Sequence, residues 1–206
     1  MGRDRCELES VIKVELSVYP PEYQTVDEPH DGELILAVQA GNEAAFTSLY
    51  RRHQGSIYRY ALHMSGKSDI AEEVVQDVFL VLLRDPRQYD AARGPLCAYL
   101  LGIARKRVLR WLEKARSFEP ELEQQADPRD MSLEPERKQM IGQLRRAILA
   151  LPANYREAVV LCDIEELDYA QAAEIQGCAI GTIRSRVHRA RALLAVRMRS
   201  GEGCTV

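Results

Sequence analysis

Apolar residues recur at intervals of three and four along most of the chain, the spacing that places them on one face of an α-helix. In the first part of the chain this pattern predicts helical segments over residues 34–50, 54–64, 70–83 and 96–116. Gly66 falls in the break before the third segment, and Asp69 is positioned to cap the helix that follows. Asp85 and Pro86 end that helix, and a loop is predicted to run as far as Pro95.

Helical spacing resumes at residues 140–151, and Pro152 is suited to the first turn of a further helix. Asp168 and Gln171 have the spacing of a capping box, which predicts the start of a short helix. Gly177 is suited to end that helix, and a longer one is predicted over residues 182–199. A short helix, a glycine-containing turn and a longer basic helix are typical of a helix-turn-helix.

Two segments depart from this pattern. Residues 1–30 contain a short period-two alternation and three prolines, and we interpret them as an N-terminal appendage of unknown role. Residues 117–138 are rich in acids and prolines and have few large apolar side chains to bury, which predicts a flexible acidic linker. The sequence therefore predicts an all-α protein in which this linker joins two small helical domains, residues 31–116 and 139–200.

Composition narrows the class of protein. With 46% hydrophobic and 29% charged residues among 206, the chain is an ordinary globular protein. Its five cysteines are too far apart for paired zinc ligands and too few for a disulfide framework, so we expect reduced thiols and no metal or other cofactor. The N-terminus lacks the apolar core of a signal peptide and no apolar run could span a bilayer. We expect a cytoplasmic protein without membrane insertion.

Positive charge is concentrated near the C-terminus, although the formal net charge is −3. Residues 177–191 contain four arginines and no acid. On a helix, one stripe is formed by Ile183, Val187, Ala190 and Leu194, and the opposite face by Arg184, Ser185, His188 and Arg189. Arginine can donate a bidentate pair of hydrogen bonds to guanine, so we expect this outer face to contact DNA bases. The marginal residues are better placed to contact phosphates; they are Thr182, Arg186 and Arg191.

A second basic cluster occupies the helix predicted to end the first domain. Its members are Arg105, Lys106, Arg107, Arg110 and Lys114, together with the sole tryptophan, Trp111. A cationic surface that carries an aromatic ring suits unpaired or melting DNA, because bases stack on rings and phosphates pair with cations. The sequence equally allows Trp111 and Tyr99 to be core residues. Two such modules on a tether could contact two separated patches of one duplex.

Several stretches in order resemble a known family. One is "LPANYREAVVLCDIEELDYAQAAEIQGCAIGTIRSRVHRARALL", which resembles region 4 of bacterial sigma factors of the extracytoplasmic-function group. Three others resemble region 2 of the same proteins: "DGELILAVQAGNEAAFTSLYRRHQGSIYRYAL", "SDIAEEVVQDVFLVLLR" and "YDAARGPLCAYLLGIARKRVLRWLEKAR".

The resemblance implies a sigma factor, not an enzyme, that directs core RNA polymerase to promoters and initiates transcription. The first domain would engage and melt the −10 element, and the second would read the −35 element through the outward face described above. The helix that resembles the segment docking on the polymerase clamp carries Asp69, Glu72, Glu73, Gln76 and Asp77. The implied partners are the clamp and flap regions of core polymerase, promoter DNA and an anti-sigma factor.

The chain departs from the family at three positions of the melting region. Tyr99 stands where tryptophan is common, Lys106 where asparagine is common, and Arg110 where aspartate is common. The last two changes add positive charge, so an unusual promoter preference is expected.

Two other classes of protein agree less well with the sequence. A helix-turn-helix regulator with a sensor or dimerisation domain would bind its DNA site without polymerase, whereas a sigma factor would bind promoters poorly until core enzyme is added. An enzyme is disfavoured because the four histidines are scattered and no nucleophile has a nearby base.

Overall fold

The structure, a computed structural model, describes residues 29–115 and 134–201. Within these two ranges the regular secondary structure is entirely helical. Nearly all of the predicted N-terminal appendage and residues 117–133 of the predicted linker lie outside the described residues. None of the described helices is both long and apolar enough to cross a membrane.

Over residues 29–115, the N-terminal half contains four α-helices, with two single turns of 3₁₀-helix at Pro86–Gln88 and Ala91–Arg93. The α-helices are α1 (Asp31–Gln39), α2 (Glu43–Ser65), α3 (Ser68–Arg84) and α4 (Leu96–Ala115). Helix α2 is central, because it packs against α1, α3 and α4.

The predicted break before residue 54 is wrong, since α2 runs through it without interruption. The single segment predicted over 34–50 is also wrong, because α1 ends at Gln39 and the Asn42 side chain caps the start of α2 by accepting the Ala45 N–H at 3.1 Å. The polar stretch at the predicted break is held from α1, where Asp31 accepts hydrogen bonds from Arg52 at 2.7 Å and pairs with the His53 ring at 3.0 Å. Asp31 thus gives Arg52 and His53 polar partners, so the helix can continue through two polar residues that its apolar periodicity does not accommodate.

The start of α3 differs in detail from the prediction. Gly66 ends α2 in the left-handed conformation, with φ 77°, as glycine does at helix ends. Lys67 rather than Asp69 occupies the N-cap position. Asp69 lies in the first turn instead, where its carboxylate accepts the backbone N–H of Ile70 at 2.9 Å. An acidic group there still favours the helix, because the N-terminal end of the helix dipole is positive.

The C-terminal half contains α5 (Pro135–Leu149), α6 (Ala153–Val159), a π-helical turn (Val160–Ile164), α7 (Tyr169–Gln176) and α8 (Ile180–Gly201). Helix α5 begins within the range predicted as linker, because Pro135 fits a first helical turn, where its missing N–H is not needed. The π-helical turn continues α6. Its hydrogen bond spans five residues, from Glu165 N–H to Val160 O at 2.9 Å.

The predicted apolar stripe of α8 is confirmed as core. Ile183, Ala190 and Leu194 have no exposed surface, and Val187 is 1% exposed. This stripe packs against α5, α6 and α7, and thereby fixes which face of α8 points outward.

The two halves share one continuous hydrophobic core. Helix α2 contacts α5, α6 and the π-helical turn, while α4 contacts α7. The charge pattern predicts two modules that grip DNA apart from each other; in this conformation they are instead docked. Their apolar surfaces merge into that core, and a set of buried polar pairs between the halves, described below, fixes the register of docking.

The buried stripe of α8 gives a stability prediction. Leu194→Ala removes a fully buried side chain and should lower the free energy of unfolding by about 2–5 kcal/mol. The matched control is Leu193→Ala, because Leu193 is the adjacent residue and is 37% exposed; it should cost about 0.5 kcal/mol. Urea denaturation of both variants checks this, and equal losses would contradict the assignment of the core face.

The Asp31 cluster gives a pH prediction. Burial raises the pKa of Asp31, but the hydrogen bonds and charges of His53 and Arg52 outweigh burial and leave the pKa below its ordinary value of 3.8. The carboxylate therefore stabilises the fold above pH 3.8, and this contribution is lost as pH falls through the lower folded-state pKa.

Asp31→Asn should accordingly lower stability at pH 7 by about 1 kcal/mol, and the difference from wild type should vanish in strong acid. Glu33→Gln removes an exposed carboxylate from the same turn and should not show this behaviour. Thermal unfolding from pH 7 to pH 2 tests both variants. An Asp31→Asn deficit that persists in strong acid would mean that packing, not charge, is lost.

Candidate nucleic-acid interface

The turn before α8 is built by side chains in known capping positions. Asp168 accepts the N–H of Gln171 at 2.8 Å, and the Gln171 side chain accepts the N–H of Asp168 at 3.1 Å. Gly177 ends α7 with φ 66°, a left-handed conformation that glycine adopts without strain. The predicted capping box and stop are both confirmed, and together they set the angle at which α8 follows α7.

The outer face of α8 presents the four predicted base-contacting residues to solvent. Arg184, Ser185, His188 and Arg189 are all exposed. The Ser185 hydroxyl donates to Thr182 O at 2.9 Å, and an Arg189 Nη1 donates to the Tyr155 hydroxyl at 3.3 Å. Tyr155 comes from α6 and was missed by sequence reasoning, because no spacing relates it to α8.

The marginal arginines bond inside the protein. Arg191 donates from Nε at 2.9 Å and from Nη2 at 2.6 Å to the two carboxylate oxygens of Asp163. Arg186 donates to the Gln176 side chain and lies 3.6 Å from Cys178 Sγ. These contacts tie α8 to the π-helical turn and to the end of α7. Thr182, the third predicted phosphate contact, is half-buried at the start of the helix.

The basic cluster of α4 divides into two groups. Lys106, Arg110 and Lys114 are exposed, as a DNA-contacting surface requires. Arg105 instead donates from Nε to Glu157 Oε1 at 2.7 Å, and Arg107 pairs with Asp77 at 3.4 Å. These two arginines already have partners in this conformation.

The aromatic residues of this region are half-buried and pack against the core. The Lys67 ammonium lies over the Trp111 ring, 5.8 Å from its centroid. Tyr99 packs against Tyr89 with ring centroids 5.7 Å apart. Both side chains therefore have structural contacts, one of the two roles that the sequence allowed.

A cavity of about 300 Å³ lies beside the basic helix. The segment after α3 lines it with Tyr89 and Arg93, α4 with Arg105 and Lys106, and α7 with Glu174. The C-terminal half thus forms one wall of a cavity whose other walls are the segment after α3 and the predicted melting helix, α4.

The predicted polymerase-docking face of α3 is polar and accessible. Asp69, Glu72, Glu73 and Gln76 are exposed and Asp77 is half-buried, whereas Val74 and Val78 on the other side of the helix are core residues. The structure adds two exposed apolar side chains near the end of the same helix, Leu80 and Leu83. Sequence reasoning did not select them, because both lie within an apolar run.

Two family models match the chain. The model described as Sigma-70 region 2 matches residues 49–118, and the model described as Sigma-70, region 4 matches residues 141–194. The second match contains the whole α7–turn–α8 unit up to the last buried residue of the α8 stripe.

Characterised proteins and solved structures agree with the models. The chain is 32% identical to the ECF RNA polymerase sigma factor SigE of Mycolicibacterium smegmatis, over 80% of this chain and 67% of that protein. It is 34% identical to the ECF sigma factor SigM of Mycobacterium tuberculosis, over 82% of this chain and 84% of that protein.

Among solved structures, the sigma factor RpoE of Bartonella quintana, determined with the anti-sigma factor NepR, has a TM-score of 0.59 and 26% identity. That alignment covers 82% of this chain and 95% of RpoE. The fold also matches CnrH, determined with the cytosolic domain of CnrY, with a TM-score of 0.61 and 23% identity over 82% of this chain and 97% of CnrH.

Both regions, their order and the relatives agree with the geometry of the helix-turn-helix. The chain therefore belongs to the extracytoplasmic-function sigma factors, which direct core RNA polymerase to promoters and initiate transcription there.

Proposed function

We propose that α8 reads the −35 element through Arg184, Ser185, His188 and Arg189. The observation that carries this proposal is their joint exposure on one face of a helix whose opposite stripe is fully buried. A helix held in this way can enter the major groove without disturbing the core. Arg184 and Arg189 would supply the bidentate contacts, and Ser185 and His188 the shorter ones.

The residues at the margins of α8 take different roles in this proposal. Thr182 lies in the first turn of the helix, where a phosphate would be favoured by the helix dipole. Arg186 lies about one turn further along and would contact a phosphate through its guanidinium. Arg191 forms a bidentate salt bridge with Asp163, so its main role in this proposal is to orient α8 against the π-helical turn. We therefore assign direct contact with the DNA backbone to Thr182 and Arg186. Arg191 would support that contact indirectly, by orienting α8 through its bonds to Asp163.

The −35 proposal predicts a loss of sequence discrimination. Arg184→Ala and Arg189→Ala should each cost about 1–3 kcal/mol at the base pair that the arginine contacts, and relax preference at that position. Arg146→Ala removes an exposed arginine of α5 from outside the recognition helix, so it serves as the matched control. Competitive transcription from a library of −35 sequences measures this, and unchanged base preference in both α8 variants would refute the assignment.

The division of labour follows the two matched regions. We assign residues 31–116 to the unit that engages the −10 element, and residues 139–200 to the unit that reads the −35 element. In the first unit, Lys106, Arg110 and Lys114 are already exposed for phosphate contact. Arg105, Arg107 and Trp111 have internal partners, and would join the DNA contact only after these partners are exchanged.

The acidic face of α3 is proposed to dock on the clamp of core polymerase. Its exposed carboxylates, Asp69, Glu72 and Glu73, stand beside Gln76, half-buried Asp77 and the exposed side chains of Leu80 and Leu83. An apolar contact ringed by charges is the usual composition of a protein interface. The exposed Leu193 and Val196 on α8 similarly offer an apolar contact for the flap.

Charge removal on α3 tests the clamp assignment. Glu72→Gln and Glu73→Gln should each weaken binding to core polymerase by about 1 kcal/mol, or roughly fivefold in Kd. Glu43→Gln removes an exposed carboxylate from α2 and should leave the Kd unchanged. Fluorescence titration of labelled chain with core enzyme gives these constants. Equal Kd values for the α2 and α3 variants would place the clamp contact elsewhere.

Transcription by reconstituted enzyme tests the function as a whole. The chain with core polymerase should give promoter-dependent transcripts, and binding of promoter DNA should depend on core enzyme. Strong site-specific binding by the chain alone, with no transcripts on adding core enzyme, would favour an ordinary helix-turn-helix regulator. The Bartonella relative was solved with an anti-sigma factor, and we include such a protein among the proposed partners.

A further inference from the structure

Two buried carboxylates of the C-terminal half find their partners on the N-terminal half. Glu165 accepts hydrogen bonds from Arg59 Nε at 3.0 Å and Arg59 Nη2 at 2.8 Å, and both side chains are at most 4% exposed. The Ser56 hydroxyl also donates to Glu165. Burying a charge is costly unless it is paired and hydrogen-bonded, so neither partner would remain buried without the other.

The second carboxylate involves a residue of the basic helix. Glu157, which is 3% exposed, accepts from the Tyr60 hydroxyl at 2.9 Å and from Arg105 Nε at 2.7 Å, both at Oε1. Burial and then the charge of Glu157 raise the pKa of Tyr60 well above 10.0, so the phenol stays protonated and donates. A third link runs from Arg156 Nη1 to the backbone oxygen of Met64 at 2.8 Å.

We propose that Glu157 and Glu165 form an intramolecular latch, in which the C-terminal half docks on α4 and Arg105 binds either Glu157 or DNA. This inference rests on the proposed role of α4 in contacting the −10 element. Helix α7 contacts α4 and forms a wall of the cavity lined by Arg105 and Lys106, so docking also restricts access to that surface.

The physical character of the contacts suits a switch. Buried ion pairs contribute more to the register of docking than to net stability, because desolvation offsets much of their attraction. Such contacts fix one docked arrangement of the two halves. A partner that binds the open state more tightly can still shift the equilibrium towards that state. On the proposed function, core polymerase engages both halves, through α3 and α8, and would supply that preference.

The test compares the full-length wild type with the double variant Glu157→Gln, Glu165→Gln. The matched control is Glu166→Gln, which removes an exposed carboxylate next to Glu165 in sequence. Small-angle X-ray scattering should show a larger radius of gyration for the double variant alone. Circular dichroism should show equal helix content in all three proteins, which separates opening from unfolding.

Cys97 provides a local probe of the same event. Its thiol lies 3.5 Å from Ser56 Oγ, beside Glu165, and burial raises its pKa to about 11. In the double variant, alkylation of Cys97 should be at least about tenfold faster than in wild type, as expected when a minor open state becomes the major one. Cys162 and Cys178, both in the C-terminal half, should react at wild-type rates; faster reaction at all three sites would indicate unfolding.

Binding of a mixed-sequence, single-stranded 20-nucleotide DNA to the free chain measures the masking of α4. The double variant should bind at least about tenfold more tightly than wild type or Glu166→Gln, because apparent affinity scales with the fraction of competent chain. An expanded double variant with unchanged DNA affinity would overturn the masking, and an unexpanded one with slow Cys97 alkylation would overturn the latch.

Two further results separate this proposal from the function itself. Scattering from wild type alone that shows two separated bodies would overturn the latch without any variant, even where the double variant fails to fold. If wild type with core polymerase gives no transcripts, the proposed function fails, while the scattering and alkylation results still decide whether the latch exists.

Discussion

The arrangement of the whole molecule depends on the burial of carboxylates at the surface where its two halves meet. Arg59 and Glu165 lose nearly all contact with water, and the bidentate pair between them, together with the Ser56 hydroxyl that donates to Glu165, compensates for that loss. Glu157 satisfies its charge with a phenol and a guanidinium from two different helices. Because each bond joins one half to the other, the apolar surfaces of both halves can merge into one core only in this register.

The recognition helix is positioned by a second, independent set of contacts within the C-terminal half. Its buried stripe fixes rotation about the helix axis, and the Arg191–Asp163 pair fixes where α8 lies along the π-helical turn. Arginine is thus used in two ways on one helix: Arg191 orients, while Arg184 and Arg189 point outward. The contacts that orient α8 lie within the C-terminal half, although the π-helical turn that Arg191 binds also packs against α2.

The parts of the structure that the sequence predicted are those governed by local periodicity and local hydrogen bonds. The α8 stripe, the Asp168–Gln171 capping box and the stop at Gly177 each follow from residues a few positions apart. The exposure of the four predicted base-contacting side chains follows from the same period. The continuity of α2 was missed because the polar residues near its middle are satisfied from α1, and a pattern within α2 does not contain that information.

Partners distant in sequence were beyond such reasoning. Arg105 is 52 residues from Glu157, and Arg59 is 106 residues from Glu165. A cluster of basic residues in one helix predicts a cationic surface. It does not show which of these residues form salt bridges with carboxylates of other helices. Arg105, Arg107 and Trp111 were therefore grouped with Lys106, Arg110 and Lys114, although only the last three are exposed in this conformation.

The placement of these charges determines which of the two predicted DNA-contacting helices is engaged when the halves dock. Glu157 and Glu165 face the N-terminal half, whereas Arg184, Ser185, His188 and Arg189 face solvent. Docking of the halves therefore engages the helix assigned to the −10 element and leaves the helix assigned to the −35 element uncovered. On the latch proposal, a closed chain would be hindered in melting DNA more than in touching the upstream element, because Arg105 of the predicted melting surface is held at the interface while the four outward side chains of α8 are exposed. On this proposal, opening of the chain by core polymerase would exchange Glu157 for DNA at Arg105.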